Sequence, residues 1–495
     1  MIAWPAHPVL YEINTCAWLS DLSRQSHRPV TLSTVPETEL RRLARYGFDG
    51  LWLMGVWQRS AEGRRIARAH PQLQEAYRHA LPDYVPADLV GSPYAILRYQ
   101  VDSSLGSDAE LDSLRQRLAG HGLRLILDFV PNHLAIDHPW VRLHPDYLVR
   151  GSADDLSREP GNYFRTPGQI LAHGRDPYFP GWTDTVQVDY RRPAARRAMA
   201  DLLLEVAGRC DGIRCDMAML VTHDIFLRTW GGQFIPSGAE FWPATIAEVR
   251  YTHPNMLLMA EVYWDMEYQM QQMGFDYAYD KRLYDRLRGD NVILVREHLQ
   301  LANVDYQRRL VRFLENHDEE RAMVAFGAAR SRAVATVTLT LPGARLVHDG
   351  QMEGRRRRLP VQLGRRMPES AEPGLEPFYR RLLGALRQPV FHDGQWYALE
   401  PYEAWAGNPS HRNMLAHAWR MGSERRLAVA NLANERGQCF VLLGPLGLES
   451  AAGWELVDLL GSARHVRDGR ALITRGLYLE LPAYGHHLFD IRLKP

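Results

Sequence analysis

Four stretches of this sequence place charged or hydrogen-bonding side chains where strand-like runs call for apolar ones. In DGIRCDMAML (211–220), Arg214 and Asp216 share one face of the run, because side chains alternate along a strand. Asp128 closes LRLILDFV and is followed by Asn132 and His133, and Glu261 closes NMLLMA. Asn316, His317 and Asp318 follow RRLVRFLE. A charge inside a strand is costly unless it is paired, so a structural ion pair by itself accounts for Arg214 and Asp216. Three carboxylates without an obvious metal-binding triad offer more, namely acid, base and nucleophile. Hydrolysis of a glycosidic bond uses one carboxyl to protonate the leaving oxygen and another to capture an oxocarbenium-like centre. Beside Arg214, Asp216 is expected to have its pKa held low and to stay ionised, as a nucleophile must. Glu261, after an apolar run and beside Val262 and Tyr263, is expected to be desolvated, with a raised pKa that suits a general acid.

Residues so far apart cooperate only if the ends of their strands meet. Eight strand-like runs recur: PVLYEINT (8–15), FDGLWLMG (48–55), LRLILDFV (123–130), DGIRCDMA (211–218), NMLLMAEVYW (255–264), GFDYAYD (274–280), RRLVRFLENHD (308–318) and ARLVHDG (344–350). Helical patterns lie between several of them. In DAELDSLRQRLAGHG, Leu111, Leu114 and Leu118 recur at helical spacing and Gly120 to Gly122 supply the stop. PAARRAMADLLLEVAG opens on Pro193 and closes on Gly208. Eight strand–helix alternations predict an α/β fold, a closed parallel (β/α)8 TIM barrel, with an open doubly wound sheet as the alternative. In a barrel, all the chemistry-bearing strand ends fall on one rim.

The stretch 134–188, rich in Pro, Gly, Asp and Tyr, is too long for one crossover and is expected to form an insertion domain on that rim. From 388 to 495 the helical period fades into short runs such as RLAVANLA, QCFVLLG, WELVDLL and ALITRG, which predicts a separate antiparallel β domain. The barrel is then expected to comprise 1–133 and 189–387.

Composition narrows the partners. Lys plus Arg (59) nearly cancel Asp plus Glu (58), which removes the broad electrostatic argument for nucleic acid or an anionic membrane. No run of about 18 apolar residues occurs, and no membrane partner is expected. The four cysteines show no CxxC spacing, and the N-terminal stretch lacks a basic region followed by unbroken apolar residues; both point to a cytoplasmic protein. Thirteen Trp and 22 Tyr supply flat faces for the core and for sugar rings.

DFVPNH (128–133), GIRCDMA (212–218), EVYW (261–264) and ENHDEE (315–320) resemble, in order and spacing, the four motifs of the α-amylase family of glycoside hydrolases, family thirteen. The barrel, the insertion after the third strand and the C-terminal β domain are similar to that family's plan. The resemblance implies a retaining glycosidase or transglycosylase acting on α-glucosidic bonds of α-glucans, oligosaccharides or small α-glucosides through a covalent intermediate. It makes Asp216 the nucleophile, Glu261 the acid/base and Asp318 the third carboxylate. Arg214 would orient Asp216, and His133 and His317 would hydrogen-bond the donor sugar. Asp128 would act as an orienter behind them. Tyr94, in GSPYAILRY, resembles the tyrosine that stacks on that sugar; a core tyrosine is the alternative.

There are departures from the family pattern. Met219 and Leu220 stand where many members carry a Lys-His pair serving an acceptor subsite and a calcium site, and Arg98 replaces a common acidic residue. A glucanotransferase or phosphorylase is the alternative activity, and Arg355 to Arg358 could hold a phosphate or face solvent. A non-catalytic sugar-binding relative would have no use for an intact triad. No cofactor is expected and no metal: Asn132 matches one familiar calcium ligand, but a single neutral oxygen does not hold a cation that takes six to eight. Chelation should therefore leave activity and melting temperature unchanged. A calcium-reversible fall in Tm on adding EDTA, followed by calorimetry, would show ligands that this reading lacks.

Overall fold

The computed structural model describes residues 3–232, 238–289, 291–300 and 303–494; Met1, Ile2 and Pro495, at the ends of the expected domains, lie outside the described residues. Eight strands close a barrel: β1 (Val9–Asn14), β2 (Gly50–Met54), β3 (Arg124–Phe129), β4 (Gly212–Cys215), β5 (Leu257–Ala260), β6 (Tyr277–Tyr279), β7 (Leu310–Arg312) and β8 (Ala344–His348). They pair in sequence order, each parallel to its neighbours, with β8 returning to β1. All eight expected strands are present, and the open sheet is excluded. Seven of them, all but β3 with its half-buried Arg124, are buried along their whole length, which explains why the runs read as continuous apolar stretches rather than alternations.

The seventh strand is shorter than expected. It stops at Arg312, whose guanidinium turns inward to Asp280 and to the carbonyl of Gln307. The following residues form a loop instead, in which the Asn316 side chain accepts from the main-chain N–H of Asp318 (2.9 Å) and Glu319 (3.0 Å). That Asx turn presents His317 and Asp318 at the rim.

Two connections on this rim are elaborate. Between β3 and β4 the chain forms a short antiparallel pair, His133–Ala135 with Thr185–Gln187, and a three-stranded sheet of Arg150–Gly151, Gln169–Ala172 and Tyr163–Thr166. Between β2 and β3 lie the antiparallel pair Trp57–Arg59 with Ile96–Val101 and two helices, Ala61–Ala69 and Pro71–Ala80. The sequence reading missed this second excursion. It is stitched to the loop after β8: Val90 donates to the Gln362 carbonyl (2.9 Å), Gly364 to that of Asp88 (2.8 Å), and Arg365 pairs with Asp88 and Asp83. Tyr77, Leu81, Leu89 and Leu363 form a small apolar core of their own beneath the seam.

Beyond the helix Leu375–Leu386, a six-stranded and a three-stranded antiparallel sheet enclose a second core around Leu427, Val429, Leu456 and Phe489. Within it, ALITRG is not a strand but part of the helix Gly469–Thr474, because Asp468 accepts from the Ala471 N–H and caps it. The six-stranded sheet docks on the barrel helix Gly327–Thr338, where Trp419 Nε1 donates to the Thr340 carbonyl at 2.7 Å.

Candidate active site

The parallel register sets Arg214 directly beside Asp128 on β3 and Met259 on β5. Asp216 and Glu261 then follow the ends of adjacent strands. Arg214 is fully buried, and its guanidinium serves three carboxylates: Nη1 lies 2.7 Å from Asp216 and 3.5 Å from Asp128, and Nη2 lies 2.8 Å from Glu261. Aromatic rings line the cation, with Trp52 at 5.1 Å, Tyr94 at 5.3 Å and Tyr279 at 5.7 Å from ring centroid to guanidinium carbon. These contacts replace the water lost on burial.

The chain strains to make this arrangement. Met217 adopts a left-handed conformation (φ 41°), which costs about 1–3 kcal/mol for a residue with a side chain. In return its N–H points at Glu261 Oε2, 2.7 Å away, while the Tyr263 hydroxyl donates to Oε1 at 2.8 Å. Glu261 is thereby fixed at both oxygens.

The proton balance differs from what the sequence implied for Asp216. Burial raises its carboxyl above the usual range, and the nearby charges of Asp128 and Asp318 add to that; Arg214 offsets only part of the rise. The cation cannot hold Asp216 low by itself because it is shared. Glu261 is pushed further, to about 7, again by burial, with Asp216 and Asp318 contributing. Geometry gives the same order: Nη1 of Arg214 hydrogen-bonds Asp216, whereas Nη2 abuts Glu261 without hydrogen-bond alignment. A single proton in the pair therefore resides on Glu261. Asp128, behind them, is raised by burial to about 6.

Asp318 is the open member of the trio. Its side chain is 45% exposed at the mouth, and His317 Nε2 lies 2.9 Å from its Oδ2. Burial alone would raise the carboxyl, but the charge and hydrogen bond of His317, with Arg214 and Arg358, hold it at about 2. His317 is in turn kept well above the usual imidazole range, against its burial, by Asp318 and Glu12. Its Nδ1 bonds Glu12, and its Nε2 is also 2.8 Å from the Tyr94 hydroxyl, whose ring stacks on it at 5.5 Å. His133 is buried against Trp182, 5.1 Å between ring centroids; burial lowers its pKa to about 3, so it is a neutral imidazole. Gly174 leaves room for it, since a Cβ there would meet the His133 Cβ at 2.6 Å.

All eight residues singled out from the sequence thus gather on one rim: Asp216, Glu261 and Asp318 with Tyr94, His133, Arg214, His317 and Asp128. Four more belong to the site and were missed. Glu12, a buried acid alternating within apolar β1, carried the same signal as Asp128. Trp52 and Tyr279 read as ordinary core, and Tyr263 only as an apolar neighbour of Glu261. Beside Glu261, Met217, Tyr263, Trp264 and Phe179 line a second hollow. Trp264 and Asp265 are both left-handed (φ 61° and 63°), and Trp264 meets Tyr178 edge-on at 5.0 Å. Tyr178 and Phe179 are exposed by 57% and 67%, a flat apolar surface beside the site.

Residues 39–357 match the family model for the alpha amylase catalytic domain, about two thirds of the chain, and the protein belongs to the α-amylase family. Among curated relatives, alpha-amylase MalA of Haloarcula japonica is 24% identical over 491 residues, covering 95% of this chain and 61% of the relative. A cyclomaltodextrin glucanotransferase of Paenibacillus macerans is 24% identical over 51% of this chain and 36% of its own. The chain thus spans less than two thirds of the length of these relatives. The solved structure of a noncanonic maltogenic alpha-amylase, AmyB, from Thermotoga neapolitana superposes with a TM-score of 0.73 at 20% identity, covering 98% of this chain and 99% of that one. A debranching enzyme from Nostoc punctiforme shares the fold at a TM-score of 0.66 and 18% identity, over 99% and 100% of the two chains.

If the shared cation holds the site together, Arg214→Met should cost about 3–5 kcal/mol at pH 7, the range for an unpaired buried charge. Asp216, Glu261 and Asp128 would then have folded pKa values further above their unfolded ones, so stability is lost as pH rises. The loss should be smaller at pH 5, where these carboxyls are protonated in the folded variant. Urea denaturation at both pH values measures it, and an equal loss at each would rule out the shared-cation account.

Proposed function

We propose that this protein is a retaining enzyme of α-glucosidic bonds, a hydrolase or transglycosylase on α-glucans, oligosaccharides or small α-glucosides. The observation that carries this reading is the unequal treatment of two carboxyls by one buried cation: Asp216 is hydrogen-bonded to Arg214 and Glu261, at about 7, keeps the proton. In the first displacement Asp216 attacks the anomeric carbon, the bond to the leaving oxygen breaks, and Glu261 delivers its proton to that oxygen. The ionised Glu261 then takes a proton from water or a sugar hydroxyl, which attacks the same carbon and releases Asp216. Asp318, ionised throughout, accepts hydrogen bonds from sugar hydroxyls, and His317, Tyr94 and the neutral His133 complete the donor subsite. Asp128 positions Arg214.

Exposed Trp264, Tyr178 and Phe179 beside Glu261 favour a sugar on the leaving-group side and hence a sugar acceptor as well as water. The chemistry falls to the barrel of 1–133 and 189–387, with 134–188 as an insertion domain at the rim and 388–495 as a β domain behind it. Carbohydrate is the partner proposed, and the near-zero net charge of +1 supports no nucleic-acid surface. Cys16, Cys210, Cys215 and Cys439 are free and buried, which supports a reducing, cytoplasmic location. No helix among the described residues is long and apolar enough to cross a membrane.

Two displacements at one carbon keep its configuration, so proton NMR in the first minutes of maltooligosaccharide cleavage should show the α-anomer; the β-anomer would remove Asp216 from the nucleophile role. Because the acid must be protonated, kcat should fall as pH rises through about 7. Glu261→Gln should abolish that limb and turnover of natural sugars, while a substrate with an activated leaving group still forms the intermediate. Equal loss on both substrates would show that Glu261 is not the acid.

A further inference from the structure

In the arginine run after β8, Arg356, Arg357 and Arg358 are exposed and Arg355 is half-buried, and three of the four border a crevice. This crevice, next to the carboxylates, is lined by Arg321, Arg355, Arg357, Arg358 and Arg366 and shares His317 with the site. Its interior is narrow, about 30 Å³, and opens to solvent at the mouth. It lies on the side of His317 away from Glu261, where the loops after β2 and β8 are stitched together, so a donor sugar held by Asp318 and His317 would have the crevice at its far end.

These cations are not equivalent. Arg366 is neutralised by Asp21 and Asp349 at 2.7 and 2.6 Å, and Arg321 by Glu315 at 3.0 Å. Arg355 has Asp21 at 3.7 Å. Glu369, the one acid in the lining, accepts from the main-chain N–H groups of Arg356 and Arg357, while the Arg356 side chain turns away to Glu372. Arg357 and Arg358 reach only main-chain carbonyls, those of His79 at 3.3 Å and Asp318 at 2.6 Å. Among the described residues, no carboxylate lies within ion-pair distance of either guanidinium. Arg357 and Arg358, exposed at the edge of this polar crevice, are thus held by carbonyl bonds with no carboxylate partner among the described residues, and guanidinium forks match phosphate oxygens two at a time.

We propose that this crevice binds a phosphate monoester carried by the donor sugar, so that the substrates include phosphorylated α-glucosides. The proposal rests on the reading of Asp216, Glu261 and Asp318 as glycosidic machinery, because that reading defines the donor side.

Isothermal titration calorimetry of the full chain in a low-salt, phosphate-free buffer tests it, with glucose, glucose 6-phosphate and inorganic phosphate as probes. The sugar phosphate should bind roughly tenfold or more tighter than glucose, the value of one charged hydrogen-bond pair, and be displaced by maltose. Arg357→Gln should remove most of that preference, and Arg357→Lys should restore part of it. The wild-type comparison stands by itself if a variant fails to fold. Equal affinity for glucose and glucose 6-phosphate would overturn the proposal. So would inorganic phosphate binding as tightly as the sugar phosphate and surviving excess maltose, since the oxyanion would then not belong to the donor sugar. Binding requires no turnover, so a preparation that prefers the sugar phosphate yet cleaves no α-glucoside supports the crevice and counts against the catalytic reading alone.

Discussion

The site is organised by one buried cation. Taking a guanidinium out of water costs several kcal/mol, and the barrel offers Arg214 no water in exchange. What it offers is two carboxylates within 2.8 Å, a third at 3.5 Å, and three aromatic faces. Each partner is itself buried and would be intolerable without the cation, so the arrangement is all or nothing. One positive charge does not offset the burial of three carboxyls, so Glu261, raised to about 7, still holds a proton near neutral pH. Burial and the poorer alignment with Arg214 both favour it there, and the chemistry follows from that.

The same rim holds the backbone's least comfortable conformations. Met217, Trp264 and Asp265 are three of the five non-glycine residues with positive φ among the described residues, and they flank Asp216 and Glu261. The Met217 N–H bonds Glu261, and the left-handed turn bends the chain immediately after that bond. Strain here fixes a proton donor, and the closed barrel beneath supplies the stability that tolerates it.

Much of this was legible in the sequence, for a physical reason. Strands buried on both faces announce themselves as unbroken apolar runs, so all eight were visible, and a charge inside such a run has few explanations. Asp128, Arg214, Asp216 and Glu261 stood out on that ground. The aromatic members did not, because Trp52, Tyr263 and Tyr279 are as much at home in a core as beside a cation. Glu12 broke its run just as Asp128 did, with Asn14 two positions on, and was passed over. The excursion after β2 was hidden because its helices and hairpin look like an ordinary crossover. Its seam to the β8 loop is made of main-chain bonds and residues about 280 positions apart, such as Arg365 with Asp83 and Asp88, which no local pattern reports. The pKa of Asp216 was misjudged because a sequence shows a neighbouring cation but not how many acids share it.

The two flanks of the carboxylates are built on opposite principles. On the His317 side, the loops after β2 and β8 are joined by main-chain bonds, a bidentate arginine and an apolar core of their own, so that wall resists opening. On the Glu261 side, Tyr178, Phe179 and Trp264 stand exposed, held by an edge-on ring contact and by the ion pair of Asp265 with Arg282. A rigid end meets a chain terminus best, while an open aromatic surface accepts rings of any number. Under the proposed chemistry, the donor sugar sits against the rigid wall and the leaving group against the open surface. The polarity of an α-glucan then fixes the choice: its non-reducing end enters, and the remainder of the chain runs outward over the aromatic flank.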